Sequence, residues 1–336
     1  MSPTNESCEL AYDVVNHPAY RIAQVFTFLV SVCAMIVLLN FISRKLFKSV
    51  FHANLKSLLC TYFSMNFHFS LTMAIAFGYH TIQPFFANSK CDLFINHSLF
   101  KYIHLAFTFT LTTPMLFTIS ISIERTIAII KAHNYEKLPM FIGPLLAILT
   151  IVSGMIVTFW AYQNEPFDED LINFILIPSA SVNNVNHIFQ YFIILDVITF
   201  IFNLILLKIT RDLNKKENRR RTLSVRFQME QIMASNKFTI YIFFVHLLFT
   251  VIYLSTVLSL WTIGKQYIFT TYTGYTTKPL FSLIIGLVAT AFLKTLKIKR
   301  KESLRTTIRI AYSGKVGAMN HDNAIFEIWN TYGGHK

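Results

Sequence analysis

The chain has 336 residues, a length that ordinarily means two soluble domains, but its composition excludes them. Apolar residues make up 54% and charged residues 14%, against about 45–50% and about 25% in soluble chains. The 33 Phe are more than one water-surrounded core can hide, so the solvent must be lipid and the protein an integral membrane protein.

Charges mark the spans, because Lys, Arg, Asp and Glu each cost roughly 2.5–3.5 kcal/mol at a helix centre in the bilayer. Runs 22–42, 57–89, 102–123, 138–164 and 238–264 are uncharged, and 171–207 carries Asp196 alone. Run 279–293 is clean but short, and reaches the roughly 20 residues a span needs only if 272–278 belongs to it. The pattern predicts an all-α fold: a seven-transmembrane helix bundle with helices at about 22–42, 57–79, 102–124, 141–162, 187–209, 238–260 and 272–296. Segment 1–21 precedes a transmembrane domain at 22–297, and 298–336 forms a tail.

Lys and Arg orient the bundle. Four lie in 44–56, three in 125–137, nine in 208–237 and nine from 294 onward, leaving only Arg21, Lys90, Lys101, Lys265 and Lys278 of the 30 for the other side. By the positive-inside rule the N-terminus is extracellular and the C-terminus cytoplasmic. The net charge of +13 then faces an anionic inner leaflet, which removes a nucleic-acid reading. Both Pro-free N-x-S/T sequons, at Asn5 and Asn96, fall on the extracellular side, as glycan acceptors must. Segment 1–20 is polar, with Glu6, Glu9 and Asp13, so no cleavable signal peptide is expected.

Polar residues within spans are functional candidates by default. Asp196 sits about ten residues into the fifth helix, placed to contact a ligand, to pair across helices or to be protonated. His104, Thr108 and Thr112 recur at helical spacing on the third helix and share a face in its outer half. His246 stands alone in the sixth helix and reads as a hydrogen-bonded interior histidine. Lys278 is placed to snorkel outward or to meet an anionic ligand. No metal-ligand spacing, nucleophile–base arrangement or phosphate-binding Gly loop is present, so neither an enzyme nor a cofactor or metal site is expected.

The cytoplasmic side carries the partner signals. Loop 208–237 centres on Lys215, Lys216, Arg219, Arg220 and Arg221, flanked by helix-compatible stretches that extend the fifth and sixth helices. It is a docking surface for a cytoplasmic partner or a solvated face held near lipid. The tail from Lys299 through Leu304, Ile308 and Ile310 suits a short basic amphipathic helix on the inner leaflet. The third helix ends Ile123-Glu124-Arg125-Thr126, an acid–Arg pair that either locks the helix foot until a partner draws the Arg away or is an ordinary interfacial ion pair.

Seven helices, an outside N-terminus, Glu-Arg at the foot of the third helix and a basic third inner loop resemble a G-protein-coupled receptor. More narrowly, three stretches resemble the nematode serpentine chemoreceptors of the Sra superfamily, nearest the Srab (alpha/beta) class: Phe51-His52-Ala53-Asn54-Leu55-Lys56, Ile123-Glu124-Arg125-Thr126-Ile127-Ala128 and Leu223-Ser224-Val225-Arg226-Phe227-Gln228-Met229-Glu230. The resemblance implies a plasma-membrane receptor of sensory neurons that binds a small environmental chemical and signals through a heterotrimeric G protein, with Glu124, Arg125 and Arg226 at the coupling face. The rhodopsin-like signatures are missing: the sixth helix reads Phe244-Val245-His246-Leu247-Leu248 in place of Cys-Trp-x-Pro, the seventh lacks Asn-Pro-x-x-Tyr, and the second offers Asn66 and His68 but no Asp. Their toggle and sodium mechanisms are therefore not carried over.

Cys33 and Cys60 lie within spans and read as small buried hydrophobes. Cys91 precedes the third helix, where many heptahelical receptors tie that helix to the second extracellular loop. Here that loop, 163–186, has no Cys, so Cys8 is the extracellular partner available and a Cys8–Cys91 disulfide is expected; the alternative is two free or intermolecular thiols. Two rival functions remain. A small-solute transporter would show internal repeats with matched broken helices, and none is visible. A seven-helix ligand-gated channel needs few diagnostic residues, although insect-type odorant channels place the N-terminus inside.

Overall fold

The computed structural model describes residues 5–132, 135, 138–217, 223–263, 277–312 and 319. It is helical throughout those residues, and no strand occurs among them. A short helix α1 (Asn5–Asn16) precedes seven long ones: α2 (Pro18–Asn40, continued by a π turn Phe41–Leu46), α3 (Ala53–Ile82), α4 (His97–Ile130), α5 (Ile142–Tyr162), α6 (Val182–Glu217), α7 (Leu223–Ile263) and α8 (Thr277–Tyr312). Two compact units divide the chain, Met1–Ala289 and Thr290–Lys336.

Local chemistry sets the helix starts. Pro18 opens α2, where its missing N–H is one of the helix's orphan donors anyway. His52 Nδ1 accepts the Asn54 N–H at 3.3 Å to start α3. Asn96 Oδ1 accepts the Ser98 and Leu99 N–H groups at 2.9 and 3.4 Å to start α4. Pro114 within α4 frees the Thr110 carbonyl. The threonines around it bond back to their own helix, as Thr113 Oγ1 does to the Phe109 carbonyl at 2.7 Å.

Burial identifies the central helix. In α4, 72% of the most apolar stretch is buried, against 28% in α2 and in α5, and α4 packs on α3, α5, α6 and α7. The outer helices leave large apolar residues open, such as Ile22 at 69% and Phe159 at 74% exposed. A soluble protein would not tolerate so extensive an apolar surface; lipid accepts it. Among the described residues six helices are long and apolar enough to cross a membrane, α8 included. The helix that falls short is α3, not the seventh span whose length looked marginal. Its 30 residues include Asn54, Asn66, Ser70 and His80, all buried and hydrogen-bonded within the bundle.

Some expectations change in the structure. Cys33 is exposed on α2 and Cys60 is half-buried, because α2 turns one flank to lipid. Helix α7 spans 41 residues, about 60 Å at 1.5 Å per residue and twice the roughly 30 Å hydrocarbon layer. The tail does not begin a separate short helix: α8 continues without a break to Tyr312, because no Gly or Pro occurs after Gly286 in that helix to stop it.

Candidate functional site

The foot of α4 holds a buried ion pair. Glu124 and Arg125 are each 1% exposed, and Arg125 Nε donates to Glu124 Oε2 at 2.6 Å. Arg125 also donates to Ser235 Oγ of α7 and, at 2.9 Å, to Tyr135 Oη in the α4–α5 connection. Tyr135 in turn donates to the other Glu124 oxygen. Burial, the largest cause, pushes the Tyr135 hydroxyl well above its ordinary pKa, so it acts as a neutral donor. An apolar jacket of Ala128, Ala132, Met229 and Ile232 surrounds the group, and the His52 ring packs on Tyr135 at 4.3 Å. Such a pair is expensive to dehydrate, and every extra hydrogen bond offsets that cost. Arg125 is thus buried and held by Glu124, Tyr135 and Ser235 at once. Arg226 lies on α7, but its side chain is outside the described residues.

Beside this lock, Asn54 joins α3 to the start of α5. Its Nδ2 donates to the Pro139 carbonyl at 3.0 Å, and its Oδ1 accepts the Gly143 N–H at 3.1 Å. A Cβ at Gly143 would sit 2.3 Å from the Asn54 carbonyl oxygen, so only glycine allows this approach.

Asp196 pairs across helices. Its Oδ1 accepts from Thr118 of α4 at 3.2 Å, and its Oδ2 lies 3.4 Å from His246 Nε2 of α7. His246 is not alone: its Nδ1 is 3.1 Å from Tyr62 Oη of α3. Tyr62, His246, Asp196 and Thr118 thus lie side by side across α3, α7, α6 and α4, with His246 and Asp196 in contact but not hydrogen-bonded. Next to them lies a cavity of about 10 Å3, bordered by Asn66, Thr110, Pro114, His246 and Phe281, room for about one water.

His104, Thr108 and Thr112 lie in the half of α4 away from Arg125 and are 0%, 4% and 1% exposed. His104 Nδ1 lies 2.7 Å from the Phe174 carbonyl, which can only accept, so Nδ1 carries the proton. In the neutral ring Nε2 then accepts from Tyr162 Oη at 2.7 Å, and Tyr162 accepts from Thr108 at 3.1 Å. Thr112 bonds back to the Thr108 carbonyl at 3.0 Å. The Phe174 N–H donates to His80 Nε2 of α3 at 3.4 Å. Two histidines therefore hold one residue of the α5–α6 connection by its N–H and its carbonyl, and the Phe174 ring packs on His80 at 4.9 Å and on Phe100 at 6.4 Å.

Helix α1 covers the same end. Ala11, Val14 and Val15 pack on Tyr20, Leu93 and Ile172. Cys8 is bonded to Cys91 in the turn Lys90–Leu93, with the Cα atoms 4.8 Å apart. Lys90 meets Glu9 at 3.0 Å, a bond that raises the lysine pKa. The Ser89 hydroxyl and backbone amides hold Asp92 below its ordinary carboxylate value. Asn5 and Asn96 are exposed on this end. Lys278 belongs to α8, with its side chain outside the described residues. No three His, Cys, Asp or Glu side chains cluster as a metal site would require among the described residues.

Residues 16–250 match the family described as serpentine type 7TM GPCR chemoreceptor Srb. The chain is 39% identical over 341 residues to serpentine receptor class beta-12 of Caenorhabditis elegans, covering 98% of this chain and 97% of that protein. It is 37% identical to class beta-3 of the same organism, over 98% of both chains. Class beta-1 follows at 34%, over 96% of this chain and 97% of the relative. The chain belongs to the serpentine class beta chemoreceptors. The serpentine resemblance in the sequence stands, and the class that matches is beta where alpha/beta was the nearest expected.

Within this serpentine receptor, the residues that sequence reasoning missed are the partners. Tyr135, Ser235, Tyr62, Tyr162 and Phe174 complete each polar group, and none carries a sequence signal beyond being a polar or aromatic residue near a span. Asn54 was in view as part of the motif before the second helix, without its role of joining α3 to α5.

Proposed function

We propose that this serpentine receptor binds a small environmental chemical at the disulfide end and activates a heterotrimeric G protein at the Arg125 end. The disulfide end faces outward, and Asn5 and Asn96 carry glycans there. The positive-inside count supports that orientation, and so does the disulfide, which needs an oxidising compartment. The site of action is the plasma membrane, in sensory neurons by family likeness.

One observation carries this reading: Arg125, fully buried, is held by Glu124, Tyr135 and Ser235 across two elements. That is a closed arrangement whose opening would present a cation to a partner. A ligand shifts the closed and open populations only by its differential affinity for the two. The Tyr62–His246–Asp196–Thr118 row spans four helices in between, and its rearrangement is the route by which one end reaches the other. Arg226 and the basic 208–237 segment supply further contacts for the G protein. His104, Thr108, Thr112, Asp196 and Lys278 are the ligand-side candidates, with Phe174 displaced as the ligand enters.

The test is heterologous expression with a G-protein readout, screened against volatile and water-soluble chemicals. Arg125→Ala should abolish the evoked signal while surface delivery, followed by a tag at Met1 on intact cells, persists. Normal signalling from that variant, or a tag reached only after permeabilisation, would overturn the reading.

A further inference from the structure

A groove of about 540 Å3 opens between α4 and α5 toward the disulfide end, walled by Leu105, Phe109, Met155 and Phe159 with Lys101 at its head and Tyr162 in its floor. Its origin lies lower down. At Gly154 a Cβ would stand 2.3 Å from Thr113 Oγ1, and Ser120 and Thr150 are hydrogen-bonded at 2.5 Å, so the helices touch there and the groove opens above. Met155 and Phe159 are 55% and 74% exposed, which places the opening toward lipid.

The head of the groove has an unmatched charge. Lys101 Nζ lies 5.5 Å from the Phe167 ring centroid, and no described carboxylate stands within salt-bridge distance of it. Glu165, which also lines the groove, makes no ion pair with Lys101; its oxygens accept the Phe167 N–H at 3.3 Å and the Ser181 hydroxyl at 2.7 Å. Phe167 itself adopts φ 57°, a left-handed conformation that a residue with a Cβ takes only at a cost, and it is held there over the groove. Through the floor, Tyr162 Oη touches His104 and Thr108 inside the bundle. On the other side His104 is bonded to the Phe174 carbonyl at 2.7 Å.

We propose that this groove binds a single-chain amphiphilic carboxylic acid arriving sideways from the lipid. Its carboxylate sits on Lys101, its chain runs along Phe109, Met155 and Phe159, and Tyr162 reports occupancy to His104. The last clause rests on the chemoreceptor reading; the binding does not. Lipid tails solvate a hydrocarbon chain as well as the groove does, so preference for this site must come from the fixed cation and close packing. The span from Lys101 to Phe109 is about 12 Å at the helical rise, suited to a medium-length chain. The volume falls in the roughly 300–1,000 Å3 range of small-molecule sites and leaves no room for a two-chain phospholipid.

The probe is photoactivatable decanoic acid, applied to the purified full chain in neutral-lipid nanodiscs, with labelled residues mapped by mass spectrometry. Label should concentrate at Phe109, Met155 and Phe159 and be displaced by decanoic acid but not by decanol. Lys101→Gln should weaken displacement about tenfold. Ala106→Trp, which fills the groove from an exposed position, should reduce label there to the level found elsewhere on the lipid face. Uniform label over all outer helices, indifference to Ala106→Trp, or stronger displacement by an anionic two-chain phospholipid would each overturn the proposal. G-protein activation is measured separately on the same samples. Coupling without groove label refutes the groove binding and leaves the receptor reading standing, and groove label without coupling refutes the report through Tyr162 and leaves the binding standing.

Discussion

Tyr135→Phe should make the receptor active without ligand. The ring stays, with its packing on His52 at 4.3 Å, so the change is close to isosteric and removes only the hydroxyl. That hydroxyl accepts from Arg125 at 2.9 Å and donates to Glu124. Hydrogen bonds to charged groups contribute about 1.5–3 kcal/mol each; allowing for relaxation within the ion pair, the closed state loses about 2 kcal/mol relative to the open one. Each 1.36 kcal/mol is about tenfold, so the shift is about thirtyfold. A receptor resting at about 1% open would move to about one quarter open. The assay is nucleotide exchange by the G protein on nanodisc-embedded receptor, without ligand and normalised to receptor quantity. Ser235→Ala, which removes one bond to the ion pair rather than two and one bond within α7, should give a smaller rise in the same direction. Basal exchange unchanged or lowered in Tyr135→Phe, with surface level and thermal stability preserved, would refute the lock.

Other predictions concern architecture. Gly143→Ala pushes a methyl against the Asn54 backbone at 2.3 Å and should lower stability by about 1–3 kcal/mol; an unchanged melting temperature in detergent would sink the close-approach argument. Cys8→Ser opens a closure of 83 residues, worth about 4.5 kcal/mol in the chain-entropy account, and should expose α1 to limited proteolysis; continued protection would show that its packing suffices. Asp92 titrates below its ordinary 3.8, so the turn it caps gains stability above that value and loses it as pH falls through the lower folded value. Amide exchange at Asn88 and Ser89, whose N–H groups Asp92 accepts at 3.0 and 2.9 Å, should therefore quicken only in strong acid. Asp92→Asn should bring the fast exchange to neutral pH, and equal rates in both proteins would contradict the cap.

The lock was half legible. Glu124 and Arg125 are adjacent in the chain, so their pairing could be read directly, but Ser235 lies 110 positions away and Tyr135 sits in a connection with no periodicity to place it. Asp196 and His246 were each visible as polar residues inside spans. Nothing in either helix gives the rotation that turns one toward the other, so His246 read as solitary. The expected second span does form, as the 30-residue α3, and its burial is what the sequence did not give. Its lack of charge made it look an easy span, while its amides and histidines are affordable only because the centre of the bundle supplies partners for them.

What the sequence determined was the solvent and the number of crossings, since ionised side chains are excluded from hydrocarbon one at a time, wherever they fall in the fold. It also determined which segments end at helix caps, because Asn96 and Pro18 act on their immediate neighbours. Which faces of those helices meet was decided by tertiary packing alone. The grip of His80 and His104 on Phe174, the closure at Gly143 and the groove above Gly154 depend on helix rotation and separation of a few ångströms, set by the sum of many weak contacts from distant parts of the chain.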